Sequence, residues 1–166
     1  MKIKSTLTNR SGATFATEYC DIDAITEIGT EKVHGVHAFC FVGDKLVIVY
    51  SAAKGYWSLP GGGVEDGETV EEATTREVRE ETNMRVLVQR PIGTLRIFEA
   101  EPKLQVRSMC IVEPIGPFVA DADPDEGVTE IKLIDPADLK KYFDWGEVGD
   151  RQLQRALELK AQIESK

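Results

Sequence analysis

The chain has 166 residues, which is enough for one domain with a buried core and too few for two domains of ordinary size. Hydrophobic residues make up 42% of it and charged residues 30%, proportions typical of a globular protein rather than a disordered or fibrous one. The formal net charge is −9, which disfavours a protein that binds nucleic acid through its phosphates, because such proteins carry a basic surface. We therefore expect no nucleic-acid partner.

Two further features of the sequence concern the cellular compartment. No run of 18 apolar residues is present, so no transmembrane segment is predicted, and the polar residues that follow the first four predict no signal peptide. Cys20, Cys40 and Cys110 are odd in number and form no CxxC pair, so we expect buried thiols rather than disulfides or a zinc site. The sequence thus predicts a cytoplasmic protein with no membrane partner.

The first part of the chain is predicted to form two β-hairpins. Residues 2–8 and 13–20 alternate polar and apolar side chains on either side of a turn-forming segment. Residues 33–42 and 45–50 are rich in β-branched and aromatic side chains, and the Gly43-Asp44 pair between them suits a two-residue hairpin turn. Residues 1 to about 30 are interpreted as an N-terminal β-extension.

The rest of the chain mixes strands and helices. A helical pattern over residues 70–82 follows a glycine-rich loop. Strands are predicted over 84–90, 92–98, 104–113 and 127–134. A short helix is predicted near 137–142 and a last helix near 150–164, with Asp150 as its N-cap. This order of elements predicts a single α/β domain over residues 1–166, with a mixed β-sheet packed between helices.

The helix over 70–82 has clear signals at both ends. Thr69 and Glu72 form a Thr-x-x-Glu capping box, which predicts that the helix starts at Val70. Asn83 stands where a residue in the left-handed region ends a helix, and Asn tolerates that conformation better than most residues other than glycine. The capping signals therefore fix which side chains share a face.

Acidic residues are concentrated in and just before this helix. Residues 64–82 hold eight acids against two arginines, so this segment carries −6 of the net −9. Glu77 and Glu81 occupy the inner face at helical spacing, and Glu80 lies beside them. Adjacent carboxylates repel one another and are costly to desolvate, which a divalent cation would relieve. An all-oxygen ligand set indicates Mg²⁺, with Mn²⁺ as a substitute; a solvated acidic face is the alternative interpretation.

The glycine-rich loop before the helix admits two interpretations. On its own, Pro60-Gly61-Gly62-Gly63 is an ordinary turn, and it lacks the Gly-Lys-Ser/Thr ending of a P-loop. Next to a carboxylate helix, such a loop lets bare backbone approach a metal or a phosphate.

The spacing of these residues resembles the Nudix box, G-x5-E-x7-R-E-U-x-E-E-x-G-U, in which U is a bulky aliphatic residue. Here the box covers residues 62–84 and reads Gly62, Glu68 and then Arg76-Glu77-Val78-Arg79-Glu80-Glu81-Thr82-Asn83-Met84. Asn83 replaces the second glycine of the box, and we expect the helix end to tolerate it at a small cost in stability. The resemblance implies a Nudix-type α/β/α sandwich in which residues 59–84 form the loop and helix.

The resemblance also implies a metal site. Glu77, Glu80 and Glu81 match the metal-binding glutamates of the family, and Gly62 matches the glycine whose carbonyl often joins them. The family hydrolyses nucleoside diphosphates linked to another moiety. A nucleotide-type small molecule that arrives as a metal complex is therefore the expected substrate.

Further catalytic roles follow from the same resemblance. Arg76 and Glu68 match the pair that orients the glutamates, with an ordinary surface ion pair as the alternative. The water-activating base varies in position within the family. Glu77 is the first candidate, and Glu126 and Glu130 are the alternatives, because they flank or lie in the strand after an acidic loop. A plain surface role for those two stays open.

Three side chains are candidates for contacts with the substrate. Trp57 is suited to stacking on a base, with core packing as the alternative. Arg96 and Arg107 are suited to contacts with phosphate oxygens, with solvated surface as the alternative. The sequence markers of the ADP-ribose, dinucleoside-polyphosphate and coenzyme A subgroups are missing or a loose fit, so no subgroup is assigned.

The leading prediction is a metal-dependent pyrophosphohydrolase that cleaves the diphosphate linkage of a nucleoside diphosphate derivative or a modified nucleotide. One alternative is a Nudix-fold nucleotide-binding or sensor module without catalysis, although such modules usually lose box glutamates and all four are present here. Another is an isoprenoid diphosphate isomerase, for which Cys40 or Cys110 would be the extra catalytic cysteine. The N-terminal hairpin leaves a homodimer open.

Overall fold

The structure is a computed structural model that describes residues 1–121 and 127–166, in which a mixed β-sheet has helices on both faces. The strands are β1 Lys2–Thr8, β2 Thr14–Asp21, β3 Gly35–Val42, β4 Lys45–Ser51, β5 Tyr56–Ser58, β6 Gly61–Gly63, β7 Met84–Phe98, β8 Lys103–Pro114 and β9 Glu130–Ile134. The helices are α1 Val70–Thr82 and α2 Gly146–Glu164, with 3₁₀ turns at Ile25–Ile28 and Pro136–Lys141.

The strands follow the order β1-β2-β7-β8-β3-β4-β5, with β6 paired to β3 and β9 paired to β4. Strands β3 and β8 run parallel, whereas the hairpins β1–β2 and β3–β4 are antiparallel. Both predicted hairpins are therefore confirmed. Gly43 in the second turn has a φ of 55°, the left-handed conformation that its lack of a side chain allows.

Strand β7 corrects one prediction. The sequence predicts two strands, 84–90 and 92–98, whereas the structure has a single strand that pairs with β8 along its whole length. A register shift between Pro91 and Gly93 accommodates the proline, which has no backbone N–H for the ladder. Strand β9 is also shorter than the predicted 127–134, because its pairing with β4 begins at Glu130.

The ends of α1 confirm the predicted caps. Thr69 Oγ1 accepts a hydrogen bond from the Glu72 N–H, and Glu72 Oε1 accepts one from the Thr69 N–H, each at 3.1 Å. Asn83 has φ 54° and ψ 41°, and its side-chain amide donates to the Pro117 carbonyl at 2.9 Å. Asn83 thus ends the helix in the left-handed region, as predicted.

Helix α2 starts four residues earlier than predicted, and Asp150 is not its N-cap. The Asp144 carboxylate accepts a 2.7 Å hydrogen bond from the Gly146 N–H, which satisfies a free donor at the start of the helix. Asp150 instead forms an ion pair with Lys140 at 3.0 Å. Asp150 lies one turn inside the helix, and the local sequence does not distinguish it from Asp144 because aspartate is favoured at helix starts.

The two faces of the sheet supply two separate parts of the core. Alternate side chains of β3 point in opposite directions, so Ala38 and Cys40 join a buried cluster with Val78 of α1. Phe39 and Phe41 join the other cluster, which includes Ala156 of α2. The predicted α/β sandwich with a mixed sheet is thereby confirmed.

The cysteines fit the prediction in part. Cys40 and Cys110 are fully buried as free thiols and lie opposite each other on β3 and β8. Cys20 is only partly buried, so the prediction of a buried thiol is wrong there.

The N-terminal hairpin is attached to α2 by apolar and ionic contacts. Tyr19 is fully buried in a cluster with Ile3 and with Val148 of α2. The Asp21 carboxylate accepts a 2.7 Å hydrogen bond from Arg151, which lies on the same helix as Val148. The hairpin is therefore part of the folded core and not an appendage. Among the described residues, no helix is both long and apolar enough to cross a bilayer.

Candidate metal and diphosphate site

Three glycines form the short strand β6, which pairs with β3 and faces the acidic helix. Gly61, Gly62 and Gly63 lie opposite His37, Val36 and Gly35, respectively. A Cβ added to Gly62 would lie 2.5 Å from Glu77 Oε1, and one added to Gly61 would overlap the Val36 carbonyl. Glycine is thus required here because bare backbone lies between a strand and a carboxylate.

Glu81 is fixed to this backbone. Its Oε1 accepts a 2.6 Å hydrogen bond from the Gly61 N–H. Burial raises the pKa of Glu81 to about 7, and the negative charge of Glu77 raises it further against the opposing effect of the Gly61 hydrogen bond. At neutral pH the site therefore holds a carboxyl group that a cation would readily ionise.

Glu77 lies one helical turn before Glu81 and is mostly buried. Its carboxylate packs against the Cα of Gly62, whereas the Gly62 carbonyl oxygen lies on the β3 side, next to Gly35. Burial raises the pKa of Glu77, and Arg76 acts in the opposite direction. Two partly desolvated carboxylates, Glu77 and Glu81, thus meet the same glycine strand.

Arg76 links the loop to the helix. Its Nε and Nη2 donate to the two oxygens of Glu68 at 2.8 and 2.9 Å, a bidentate pair. Nη2 also donates to the Gly63 carbonyl at 2.9 Å. Hydrogen bonds from Arg76 lower the pKa of Glu68 to about 2. The predicted Arg76–Glu68 pair is therefore formed, and it fixes the loop relative to α1.

The same guanidinium lies between the carboxylates of the predicted metal site. Arg76 Nη1 is 2.9 Å from Glu77 Oε1 and 3.3 Å from Glu80 Oε2, and Glu80 is largely exposed. Within residues 1–121 and 127–166, no three Asp, Glu, His or Cys side chains already converge closely enough to hold a metal ion. Carboxylate oxygens are the donors that hard divalent cations prefer, and Glu77, Glu80 and Glu81 supply them on one side of α1.

The predicted substrate-binding residues lie in different surroundings. Trp57 is half-buried and packs on Tyr50 with ring centroids 5.1 Å apart, in the aromatic setting expected of core packing. Arg96 forms a two-pronged ion pair with Glu31, so both of its terminal nitrogens are occupied. Arg107 is buried beneath Trp145, where the sequence-based alternative was solvated surface.

Of the two alternative bases, Glu130 and Glu126, only Glu130 lies in the described part of the chain. Glu130 is exposed at the start of β9, and its backbone pairs with Tyr50. By strand alternation it shares a face with Lys132, whose Nζ lies 5.2 Å from the ring centre of Trp57. Glu126 lies outside the described residues.

Two residues near the site escaped the sequence-based predictions. His37 lies opposite Gly61, and its burial lowers its pKa well below the usual value, so the ring is neutral. Trp145 lies over Arg107 of β8, the strand paired with β3, and its indole contacts the ring of His37 edge-to-face. The opposition of His37 and Gly61 follows from β3–β6 pairing, which no local pattern in the sequence indicates. Trp145 directly precedes α2, and the sequence predicts the start of that helix four residues later, near residue 150.

In this mixed sheet, the glycine strand β6 contacts the carboxylates of Glu77 and Glu81 on α1. A family model for the NUDIX domain matches residues 32–156, which is most of the chain. The chain belongs to the Nudix family.

Curated relatives match over shorter stretches. An ADP-ribose pyrophosphatase from Methanocaldococcus jannaschii is 37% identical over 92 residues, covering 55% of this chain and 47% of that protein. The nucleoside triphosphatase NudI from Escherichia coli is 56% identical over 54 residues, covering 32% of this chain and 36% of that protein. The chain thus spans about half or less of the length of these relatives.

Solved structures share the fold. The Bacillus subtilis pyrophosphohydrolase BsRppH has a TM-score of 0.69 at 19% identity, covering 93% of this chain and 96% of that one. The NUDIX domain of Shewanella oneidensis NrtR, solved with ADP ribose, has a TM-score of 0.59 at 17% identity, covering 80% and 90%. At these identities the likeness concerns the fold alone.

Proposed function

We propose that this protein is a metal-dependent pyrophosphohydrolase that cleaves the diphosphate linkage of a nucleoside diphosphate derivative by attack of water on phosphorus. The proposal rests on one observation, the contact of Glu77 and Glu81 with the same glycine strand beside the Arg76–Glu68 pair. Buried carboxylates next to bare backbone form a place where a cation and phosphate oxygens fit.

Glu77, Glu80 and Glu81 would hold Mg²⁺, or Mn²⁺ in its place. When bound, the metal supplies charge neutralisation for the diphosphate and polarises a water molecule. Arg76 keeps Glu77 against Gly62 and ties the loop to the helix through Glu68. We infer that Gly61 acts through its N–H, which orients the Glu81 carboxylate.

Glu77 is the proposed general base. Its partly buried carboxylate lies beside Gly62 and contacts Arg76, so one oxygen would accept the proton of the attacking water while the other stays with Arg76 or the metal. Glu130, exposed at the start of β9, is the alternative within the described residues.

The substrate class is proposed as a nucleoside diphosphate linked to another moiety. The named relatives include an ADP-ribose pyrophosphatase and a nucleoside triphosphatase, so both a diphosphate sugar and a triphosphate belong in a first screen. The net charge of −9 favours substrates that arrive with bound Mg²⁺.

The decisive experiment compares the wild type with Glu81→Gln on nucleotide sugars, nucleoside triphosphates and dinucleotides with Mg²⁺ or Mn²⁺, following phosphate-containing products. We expect Glu81→Gln to lose at least a hundredfold in kcat/KM on every active substrate. Glu71→Gln is the matched control, because Glu71 is an exposed glutamate on the same helix. Equal activity of wild type and Glu81→Gln would overturn the proposal, and metal-dependent binding without turnover would favour a sensor module instead.

A further inference from the structure

Arg107 is a buried cation on the face of the sheet that packs against α2. It lies on β8 opposite His37 of β3, and only 4% of it is exposed. Its Nη1 lies 3.2 Å from His37 Nδ1 and donates to Gln105 Oε1 at 3.0 Å. Both neighbours are uncharged, because burial keeps His37 neutral.

The guanidinium has donor capacity that the described protein does not use. Its Nε is buried and makes no hydrogen bond to residues 1–121 or 127–166. None of the ion pairs formed among those residues includes Arg107. Burial lowers the pKa of Arg107 to about 10, so it stays charged at neutral pH. A buried charge without a counter-ion among the described residues is costly, and an anionic ligand would offset that cost.

The position of Arg107 suits a second contact to the same substrate. Glu81 bonds to Gly61, Gly61 packs against the ring of His37, and His37 contacts Arg107. Neighbouring strands lie about 4.8 Å apart, so two strand spacings separate the backbone of Gly61 from that of Arg107 by about 10 Å. This distance joins two backbones, and a ligand that contacts both Glu81 and Arg107 would also extend from the α1 side of the sheet to the α2 side.

Trp145 covers the guanidinium. The Arg107 Cζ lies 5.4 Å from the centre of the indole, and the ring of Phe143 packs on Trp145 at 4.9 Å. A cavity of about 120 Å³ borders Trp145, Phe143 and Phe39. Arg107 itself does not line this cavity, so an anion would reach its guanidinium only if the indole is displaced.

We propose that Arg107 forms a subsite for a phosphate group additional to the diphosphate that is cleaved, with Trp145 as its movable cover. This inference rests on the proposed function. The additional phosphate has two chemical sources, the third phosphate of a nucleoside triphosphate or a phosphate monoester carried by a nucleoside. A purely structural strut between β8 and Trp145 is the competing role.

The first experiment compares substrates that differ by one phosphate, namely ATP with ADP and NADP with NAD. We expect wild type to prefer the extra phosphate in one pair by about tenfold to a hundredfold in kcat/KM, and the preferred pair identifies the source. Arg107→Met should lower kcat/KM for the substrate with the extra phosphate about tenfold more than for its partner, so that the preference is lost. A wild type without a preference in either pair, or a variant that retains it, would overturn the inference.

A second experiment reads binding without catalysis. In a Trp57→Phe background, Trp145 is the remaining tryptophan, so its fluorescence reports displacement of the indole. We expect inorganic tripolyphosphate to change this emission at a concentration about tenfold lower than pyrophosphate does, and Arg107→Met to abolish the difference. Arg107→Lys controls for charge without the guanidinium fork and should bind weakly. Equal responses to both anions in the Trp57→Phe protein would reject the subsite.

The two experiments separate this inference from the proposed function. Absence of hydrolysis together with an Arg107-dependent response to tripolyphosphate would reject the enzyme and keep the subsite. Hydrolysis without any dependence on Arg107 would reject the subsite and keep the enzyme. A structural strut predicts loss of thermal stability in Arg107→Met with no change in the substrate ratio.

Discussion

The carboxylate of Glu81 and the backbone N–H of Gly61 are joined by a 2.6 Å hydrogen bond, although 20 residues separate them in the sequence. The bond ties the end of α1 to strand β6, which is itself paired to β3. The position of this glutamate is therefore set by the backbone of the sheet as well as by its helix. A helix whose end is held in this way presents its acidic face in one fixed orientation.

Metal binding should stabilise the folded protein through this acidic face. A ligand that binds only the native state raises the midpoint of thermal unfolding, and at one hundred times its Kd it adds about 2.7 kcal/mol. We expect millimolar Mg²⁺ to raise the midpoint of the wild type, with a much smaller rise for Glu81→Gln. Glu71→Gln should behave as the wild type does. No rise for the wild type would contradict a metal site at these carboxylates.

The contribution of Glu81 to the stability of the metal-free protein should fall between about pH 4.5 and pH 7. The folded-state pKa of Glu81 is raised from 4.5 to about 7, so the contribution is fully present below 4.5 and is lost as the pH rises through 7. The full shift corresponds to about 3 kcal/mol, and partial exposure to solvent reduces it. Urea unfolding of wild type and Glu81→Gln across this range should show the fall in the difference between them, because the opposing titration of buried His37 is common to both proteins. A Glu81→Gln protein with the same pH dependence would disprove the assignment.

Replacing Arg76 with Lys should impair turnover more than substrate affinity. The single nitrogen of a lysine cannot contact Glu68, the Gly63 carbonyl and Glu77 in the geometry of the guanidinium, so Glu77 loses its fixed position. We expect kcat to fall about tenfold to a hundredfold with a smaller change in KM. Steady-state kinetics measures the split, with Arg79→Lys on the exposed side of α1 as the control. An unchanged kcat would mean that the ion pair has no positioning role.

The end of α1 offers a test of backbone conformation. Asn83 is the one residue other than glycine with a positive φ among the described residues. Asn83→Ala should lower the free energy of unfolding by about 1–2 kcal/mol, because alanine resists the left-handed region and the bond to Pro117 is lost. Asn83→Gly loses the same bond, but glycine adopts the left-handed conformation without steric cost. Its free energy of unfolding should therefore stay within about 1 kcal/mol of wild type. Urea denaturation of both variants gives the comparison, and equal losses would rule out a conformational cause.

The ion pair between the N-terminal hairpin and α2 should contribute to stability. The Asp21 carboxylate is 13% exposed and contacts Arg151 at 2.7 Å and Arg155 at 3.7 Å. Asp21→Asn should cost about 2–4 kcal/mol, because it leaves two partly buried arginines without their shared partner. Asp23→Asn removes an 87% exposed carboxylate that pairs with Arg155, and it should cost less than about 1 kcal/mol. Similar losses in the two variants would show that burial does not matter here.

The acidic helix and its caps were predictable because their causes are local. The bonds between Thr69 and Glu72 join residues three apart, and helical spacing alone puts Glu77 and Glu81 on the inner face. The side chain of Asn83 suits the left-handed end by itself. Sequence reasoning therefore recovered the helix and its ends, and the roles of the glutamates on it stay a prediction.

Features that depend on distant partners were not predictable in the same way. The sequence predicts that Arg96 contacts phosphate, whereas in the fold it pairs with Glu31, which is 65 residues away in sequence. The burial of Arg107 results from Trp145, which reaches it only after α2 docks on the sheet. The single strand β7 results from a bulge, and local patterns around Pro91 predict an interruption.

The stretch that matches the family model begins at residue 32, whereas strand β2 ends at Asp21 and pairs with Gly93–Phe98 of β7. Cutting the chain at that boundary would remove Tyr19 from its apolar cluster and open a strand edge of the sheet. An unpaired edge beside exposed apolar side chains promotes association between molecules. The unit that the family shares is thus shorter than the unit that folds, and a fragment trimmed to residues 32–156 should aggregate.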